Sequence, residues 1–148
     1  MSAFEIAVEI AAPPAAVFDV LADTGSAPLW YEAVVSATRI TPGPLGEGTR
    51  HRLVRSLPGG RVENEVEITE WEPPRRVTLT SRAGPTPFRY RYTLHPTGGR
   101  TRVELSGDIT PDGLAGVAGL GPLATLAFKR GMQHNLASLK RVVERVLG

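Results

Sequence analysis

The sequence predicts an α+β fold: a seven-stranded, curved antiparallel sheet wrapped around one long C-terminal helix, with two short helices between the first and second strands. Three observations carry this prediction. Residues 3–10 alternate between large apolar side chains and Ala or Glu, the period of a half-buried strand. Residues 34–110 divide into six short runs separated by Gly and Pro. The end of the chain carries one apolar stripe at helical spacing.

In the opening run Phe4, Ile6, Val8 and Ile10 share one parity, and Ala3, Glu5, Ala7 and Glu9 the other. Pro13 and Pro14 stop it. A proline suits the first turn of a helix, because the N–H it lacks would have no intrahelical partner there. Val17, Phe18, Val20 and Leu21 continue at helical spacing to a stop near Asp23–Gly25, and Pro28 to Glu32 fit one further helical turn. The six runs that follow are Val34–Thr41, Thr49–Leu57, Arg61–Trp71, Arg76–Arg82, Phe88–His95 and Thr101–Ile109. Turn residues close each of them, from Pro42-Gly43-Pro44 through Gly98-Gly99 to Pro111. Short strands in series with tight turns fold most simply as a meander.

The two faces of that meander differ chemically. Leu53, Leu57, Val62, Val66, Ile68, Val77, Leu79, Phe88, Leu94, Val103, Leu105 and Ile109 fall on one parity. Arg50, Arg52, Glu63, Glu65, Glu67, Arg76, Arg82, Arg89, Arg91, Arg102 and Glu104 fall on the other. The Glu-bearing strand lies between two Arg-bearing strands, so opposite charges face each other across neighbours. The Glu triplet therefore reads as a solvated sheet face and not as a metal site.

Beyond Asp112 a glycine-rich, uncharged stretch leads into a helix running to the C-terminus. Thr125, Phe128, Met132, Leu136, Leu139, Val143 and Val146 form its stripe, with Arg130, His134, Arg141 and Arg145 opposite. Such a stripe needs an apolar partner, and the inner face of the sheet is the large apolar surface on offer. A curved sheet holding one long helix is the helix-grip arrangement.

At this point the chain resembles the START-like superfamily, also called SRPBCC, the polyketide cyclase/dehydrase and lipid-transport group. The resemblance rests on Val8-Glu-Ile-Ala-Ala-Pro13-Pro-Ala-Ala-Val17-Phe18-Asp19-Val-Leu-Ala-Asp23, Trp30 seven residues on, the Gly46-x-Gly48 turn, and Leu136-Ala-Ser-Leu139-Lys140-x-x-x-Glu144. It spans nearly the whole chain, mainly in order and spacing. It implies a cavity between sheet and helix that takes hydrophobic small molecules, but it selects no ligand, because one fold hosts many functions.

Polar residues on the predicted inner face are the candidates for chemistry. His51 and Arg55 share parity with Leu53, Asn64 lies between Val62 and Val66, and Ser81 follows Val77 and Leu79. Tyr90 and Tyr92 bring hydroxyls, and Asn135 sits at the edge of the helix stripe. A buried polar group left without a partner costs about 1–3 kcal/mol, so several of them facing one apolar space point to water or a ligand with a polar end. The alternatives are an internally satisfied network, tyrosines that are plain core, or strand ends at which His51 and Arg55 reach solvent. The expected ligand-binding set is Trp30, His51, Leu53, Arg55, Asn64, Val66, Ser81, Tyr90, Tyr92, Leu105, Phe128, Met132 and Asn135. His95 and His134 read as surface residues.

No catalytic residue is assigned. His51 has the ordinary pKa range of a general base and Arg55 could hold an enolate or carboxylate, which leaves a polyketide cyclase, aromatase or dehydratase as the alternative to a binder. A protein-interaction module without a ligand is the third reading. Three isolated His and no Cys give no metal motif, and no Ser-His-Asp arrangement or G-x-S-x-G elbow is present. Gly113, Gly116, Gly119 and Gly121 lack the strand and acidic residue that a dinucleotide loop requires, so no cofactor is expected. Residues 113–121 instead suggest a gate or a membrane-touching lip, alongside the plain reading of a loose linker.

Composition bounds the rest. With 148 residues the chain suits one domain and can bury about 68–70% of its unfolded surface without disulfide or metal. Its pI is about 9.4 but its net charge only +2. Only Lys129 and Lys140 are lysines, and acids interleave with the arginines, which speaks against a nucleic-acid module. Glu5 and Glu9 argue against a secretory leader, and no stretch reaches the ~20 apolar residues of a membrane span. The expectation is a cytoplasmic protein with a hydrophobic small-molecule partner and no nucleic acid. Transient membrane contact and homodimerisation through the outer sheet face stay open.

Overall fold

A computed structural model describes residues 2–57, 59–82, 87–109 and 121–147. The opening strand β1 (Ser2–Ile10) leads into helix α1 (Pro14–Leu21), a 3-10 turn (Thr24–Ser26) and the single-turn helix α2 (Ala27–Trp30). Then come β2 (Val34–Arg39), β3 (Arg50–Leu57), β4 (Gly60–Glu72), β5 (Arg76–Ser81), β6 (Phe88–Thr97), β7 (Arg100–Ile109) and the 27-residue helix α3 (Gly121–Leu147). One seven-stranded sheet runs β1-β7-β6-β5-β4-β3-β2, antiparallel throughout. This is the helix-grip arrangement the sequence predicts, with each strand boundary within about two residues, the usual scatter of element ends.

Local chemistry explains the elements. Pro13 precedes α1 in an extended conformation and Pro14 takes its first position, so neither removes a hydrogen bond the helix needs. Val17, Phe18 and Leu21 turn the apolar side of α1 into the core. That helix stops at Leu21; Asp23 then caps the 3-10 turn by accepting from the Gly25 N–H at 3.0 Å. Bulges between Val34 and Ser36 in β2 and between Ile68 and Glu70 in β4 bend the strands, which a sheet needs if it is to wrap a helix. At Gly107 in β7, opposite Phe4, a Cβ would lie 2.5 Å from the Phe4 ring. Only glycine lets that ring rest on the strand backbone.

The parity split holds. Ile68, Val77, Leu79, Leu94, Val103 and Leu105 are buried on the inner face against Met132, Leu136, Leu139 and Val143 of α3. Outside, Glu65 pairs with Arg50 at 2.8 Å, Glu67 with Arg82 at 3.0 Å and Glu70 with Arg91 at 3.0 Å. The glutamates of β4 thus face Arg50 of β3 on one side and, on the other, Arg76 of β5, Arg82 just beyond it and Arg91 of β6. Among the described members of the predicted helix stripe, Val146 departs from it, 74% exposed on the last turn of α3. Glu144 anchors that end instead, accepting from the Ala11 N–H at 2.8 Å and pairing with Lys140.

Candidate functional site

A cavity of about 250 Å3 lies between the inner face and the first half of α3. Leu53 and Arg55 of β3 and Phe88 and Tyr90 of β6 form the sheet wall; Met132 and Asn135 of α3 face them. Tyr31, Ala33 and Val34, between α2 and β2, close one side, with Ala127 and Gly131 of α3 opposite. Side-chain size accounts for the void. Among the described lining residues, Ala33, Ala127 and Gly131 carry no side chain long enough to reach the sheet. Ala127 and Gly131 are also exposed, and a Cβ at Gly131 would meet nothing within 4 Å, which puts the mouth there.

The wall chemistry is apolar with one cation. Arg55 extends from β3 and donates to Asn64 Oδ1 at 2.5 Å, and Asn64 Nδ2 donates to Ser81 Oγ at 3.2 Å. This chain crosses β3, β4 and β5, and Asn64 and Ser81 are each 2% exposed. It fixes the guanidinium against a rigid wall. Burial pushes Arg55 down from its usual pKa, yet an arginine starts so high that it stays charged. Tyr90 stacks on Phe88 at a ring separation of 4.4 Å, and burial raises its phenol to about 12 despite the nearby Arg55 charge. The Tyr31 hydroxyl hydrogen-bonds that of Tyr92, and burial raises both phenols above their ordinary value. Asn135 accepts from the Glu32 N–H at 3.0 Å and so pins the turn after α2 to α3. Among the described lining residues the groups that titrate are Tyr31, Tyr90 and Arg55, and none changes charge near neutral pH.

Of the expected site residues, Leu53, Arg55, Tyr90, Met132 and Asn135 line the cavity. Asn64 and Ser81 lie behind Arg55. Trp30 is buried beside it, its Nε1 donating to Ser26 Oγ at 3.2 Å and its ring 4.2 Å from Tyr31. Tyr92, Val66 and Leu105 are solid core at 0–1% exposure. Phe128 belongs to α3, but its side chain is outside the described residues, as are residues 113–120 of the suggested gate.

His51 has the expected face but a different place. It sits four residues from Arg55, about 13 Å along the strand, and it is not among the lining residues. It is 2% exposed, far from the solvent-reaching strand end that was the alternative, and its Nε2 lies 3.9 Å from where a Cβ on Gly25 would be. Its Nδ1 finds no partner among the described residues. Burial lowers its pKa, opposed by the Asp23 charge and aided by that of Arg39. His95 and His134 are half exposed and pair with Glu104 at 3.1 Å and Glu32 at 3.5 Å. Among the described residues no three His, Asp or Glu side chains converge as a metal site would require.

Tyr31, Ala33, Val34, Phe88, Ala127 and Gly131 also line the cavity and fall outside the expected set. Small residues carry no signal of their own, since a void is legible only once the facing walls are known. Tyr31 was findable: an aromatic pair, Trp30-Tyr31, ending a helical turn is a large apolar payload that must be buried.

A family model described as polyketide cyclase / dehydrase and lipid transport matches residues 1–144. An uncharacterized protein of Mycobacterium tuberculosis is 29% identical over 137 residues, covering 88% of this chain and 80% of its own length. A second from the same species is 26% identical over 145 residues, covering 97% of this chain and 98% of its own. Among solved structures, the Zhui aromatase/cyclase from a Streptomyces species superposes with a TM-score of 0.80 at 20% identity, covering 99% of this chain and 96% of the other. A START superfamily protein from Mycobacterium smegmatis gives 0.80 at 14% identity, covering 97% and 98%. At those identities the structural likeness speaks for the fold. No helix among the described residues is long and apolar enough to cross a membrane.

Proposed function

The chain belongs to the polyketide cyclase/dehydrase and lipid-transport family, and we propose that its cavity binds an apolar small molecule carrying one anionic or strongly polar end. The observation that carries this reading is the Arg55 guanidinium held in an otherwise apolar wall by a buried chain of hydrogen bonds. Apolar walls supply affinity at ~25 cal/mol per Å2 of area removed from water, and the guanidinium supplies orientation. Size narrows the ligand. At about 250 Å3 the cavity exceeds the ~150 Å3 void that holds benzene but falls below the ~300 Å3 at which ordinary ligand pockets begin. A molecule of one or two rings, or a short branched chain, suits it better than a sterol.

Binding without turnover is favoured because no described lining group can exchange a proton readily near neutrality. A cyclase reading draws on a different feature: the hydroxyls of Tyr31, Tyr90 and Tyr92 cluster near a cation that could hold an enolate. An unchanged product profile in an Arg55→Ala strain would count against it.

Two measurements test the binding reading. Native mass spectrometry of protein isolated from its own host should show a co-purifying small molecule. Fluorescence titration should show that 2-naphthoate binds more tightly than naphthalene, and that Arg55→Met removes the advantage. A hydrogen bond to a charged group is worth about 1.5–3 kcal/mol, so the loss is about tenfold to a hundredfold. Equal affinity of the wild-type protein for both compounds would defeat the orienting role of Arg55.

A further inference from the structure

The charges of this protein are divided unevenly between its two exposed surfaces. Helix α3 carries Lys129, Arg130, Lys140, Arg141 and Arg145 against Glu144 alone, a net +4, while the chain as a whole carries +2. The remainder is therefore −2. On the outer face of the sheet several arginines are matched locally, Arg50 by Glu65, Arg82 by Glu67, Arg91 by Glu70 and Arg100 by Glu9 at 2.7 Å, while Arg52 and Arg89 have no carboxylate partner among the described residues. On α3 the single acid is taken by Lys140, and beside the stripe Glu32, just after α2, pairs with His134 at 3.5 Å. Arg130 and Arg145 have no carboxylate partner among the described residues, and Arg141 meets only the Ser138 hydroxyl at 2.9 Å.

Spacing puts these cations together. Leu126, Arg130, Arg141 and Arg145 are separated by four, eleven and four residues, so they lie along one side of the helix, opposite the buried Met132, Leu136, Leu139 and Val143. The stripe is ~28 Å long at 1.5 Å per residue. Its first turn is apolar, with Leu126 41% exposed. Helix α2 packs beside α3 and adds Leu29, 66% exposed. The cavity mouth, at Ala127 and Gly131, opens between them.

We propose that this face of α3 docks the protein on an anionic lipid surface, with Leu29 and Leu126 against the bilayer and the cavity mouth turned toward it. Cations draw the helix to the negative headgroups, and two exposed leucines beside the port would sit at the boundary of the apolar phase. A nucleic-acid duplex would satisfy the arginines but leave both leucines in water. Docking itself needs no cavity ligand, so it stands or falls separately from the reading above. If that reading also holds, an apolar ligand could pass between bilayer and cavity without crossing water.

Flotation with vesicles of mixed phosphatidylcholine and phosphatidylglycerol, without added ligand, tests the proposal. The protein should rise with these vesicles and stay behind with pure phosphatidylcholine. Binding should fade between about 0.1 and 1 M salt, as the Debye length shrinks from ~10 to ~3 Å. Each of Arg130→Gln and Arg141→Gln should weaken it about fivefold, the value of one cation near such a surface, and the α3 double variant that combines them should weaken it further. The same charge loss on the sheet, Arg50→Gln with Arg102→Gln, should leave it at the wild-type level. The chain has no cysteine, so Leu29→Cys can carry an environment-sensitive dye, which should shift to the blue on mixed vesicles, while Glu63→Cys on the outer sheet face should not. Equal binding to both vesicle types, an unaffected α3 double variant, or tighter capture by a DNA duplex would each overturn it. Titration of the α3 double variant with 2-naphthoate in solution reports the cavity alone and should match wild type.

Discussion

Around the second half of α3, Leu136, Leu139 and Val143 are 0–1% exposed and packed with Ile10, Val17, Phe18 and Leu21, which β1 and α1 supply. Around its first half, the same helix and sheet stand apart over about 250 Å3. Both regions lie between the same two layers. They differ in what fills the third side. Helix α1 puts Phe18 edge-on to Trp71, ring centroids 5.1 Å apart, at the packed end. At the hollow end the described third side is Ala33 with Ala127 and Gly131, and the stacked pair Phe88 and Tyr90 borders the cavity. Among the described residues, the cavity thus goes with small side chains at three positions and not with a different backbone plan.

Truncation should expose the contrast most strongly. Leu139→Ala removes close contacts on every side and should cost about 4–5 kcal/mol, while Leu53→Ala, already bordering empty space, should cost about 2 kcal/mol. Urea unfolding of the two variants measures the difference. Equal costs would mean that the cavity collapses in solution and that both ends are packed alike.

The same contrast explains how far the sequence could be read. Period two assigned His51, Leu53, Arg55, Asn64, Ser81, Tyr90 and Tyr92 to the inner face, and each is buried or half-buried there. Parity says which side of a sheet a residue faces, but not how far along the strand the cavity lies. His51 and Arg55 therefore looked like a pair, whereas one is under the 3-10 turn and the other at the cavity wall. Tyr90 and Tyr92 divide in the same way, the first lining and the second sealed at 0% exposure. The buried relay from Arg55 through Asn64 to Ser81 needed the register of three strands, in which Asn64 faces Leu53 across β3 and β4 and Glu67 faces Thr80 across β4 and β5. Turn residues and alternation could not supply that register, because the bulge at Ile68–Glu70 shifts the β4–β5 pairing by one residue.

His51 offers a probe confined to the packed end. Burial holds it below the ordinary value of 6.5, so between its folded pKa and about pH 6.5 the unfolded chain binds a proton that the folded chain refuses. Its contribution to stability is complete above about pH 6.5 and is lost as the pH falls toward the folded value. Asp23 and Arg39 are the charged neighbours, the first easing protonation and the second opposing it. Carboxylates lose their contribution at more acid pH: Glu70, hydrogen-bonded by Thr78 and paired with Arg91, is held below the usual glutamate range. Urea midpoints between pH 7 and 5 should therefore fall for the wild-type protein and stay flatter for His51→Gln, with the 2-naphthoate affinity of folded protein unchanged by the substitution. A parallel loss of naphthoate binding would tie the two ends together and break the distinction.

The smallest effect concerns the mouth. Gly131 lies inside a 27-residue helix, has no positive φ, and would bring a Cβ into open space. A glycine in a helix interior costs about 0.8–1 kcal/mol relative to alanine, through the backbone freedom it loses on folding. Nothing in the packing of α3 demands that cost, so Gly131→Ala should raise stability by nearly that amount. At the packed end no such gain is on offer, because Leu136, Leu139 and Val143 already fill their sites. The added methyl narrows the port without reaching Arg55, so 2-naphthoate should bind at unchanged affinity while its association and dissociation rates both fall in stopped-flow traces. A destabilised Gly131→Ala protein would show that the sheet or the α2–β2 turn closes onto α3 at this point, and that the two ends of the interior are more alike than their side chains suggest.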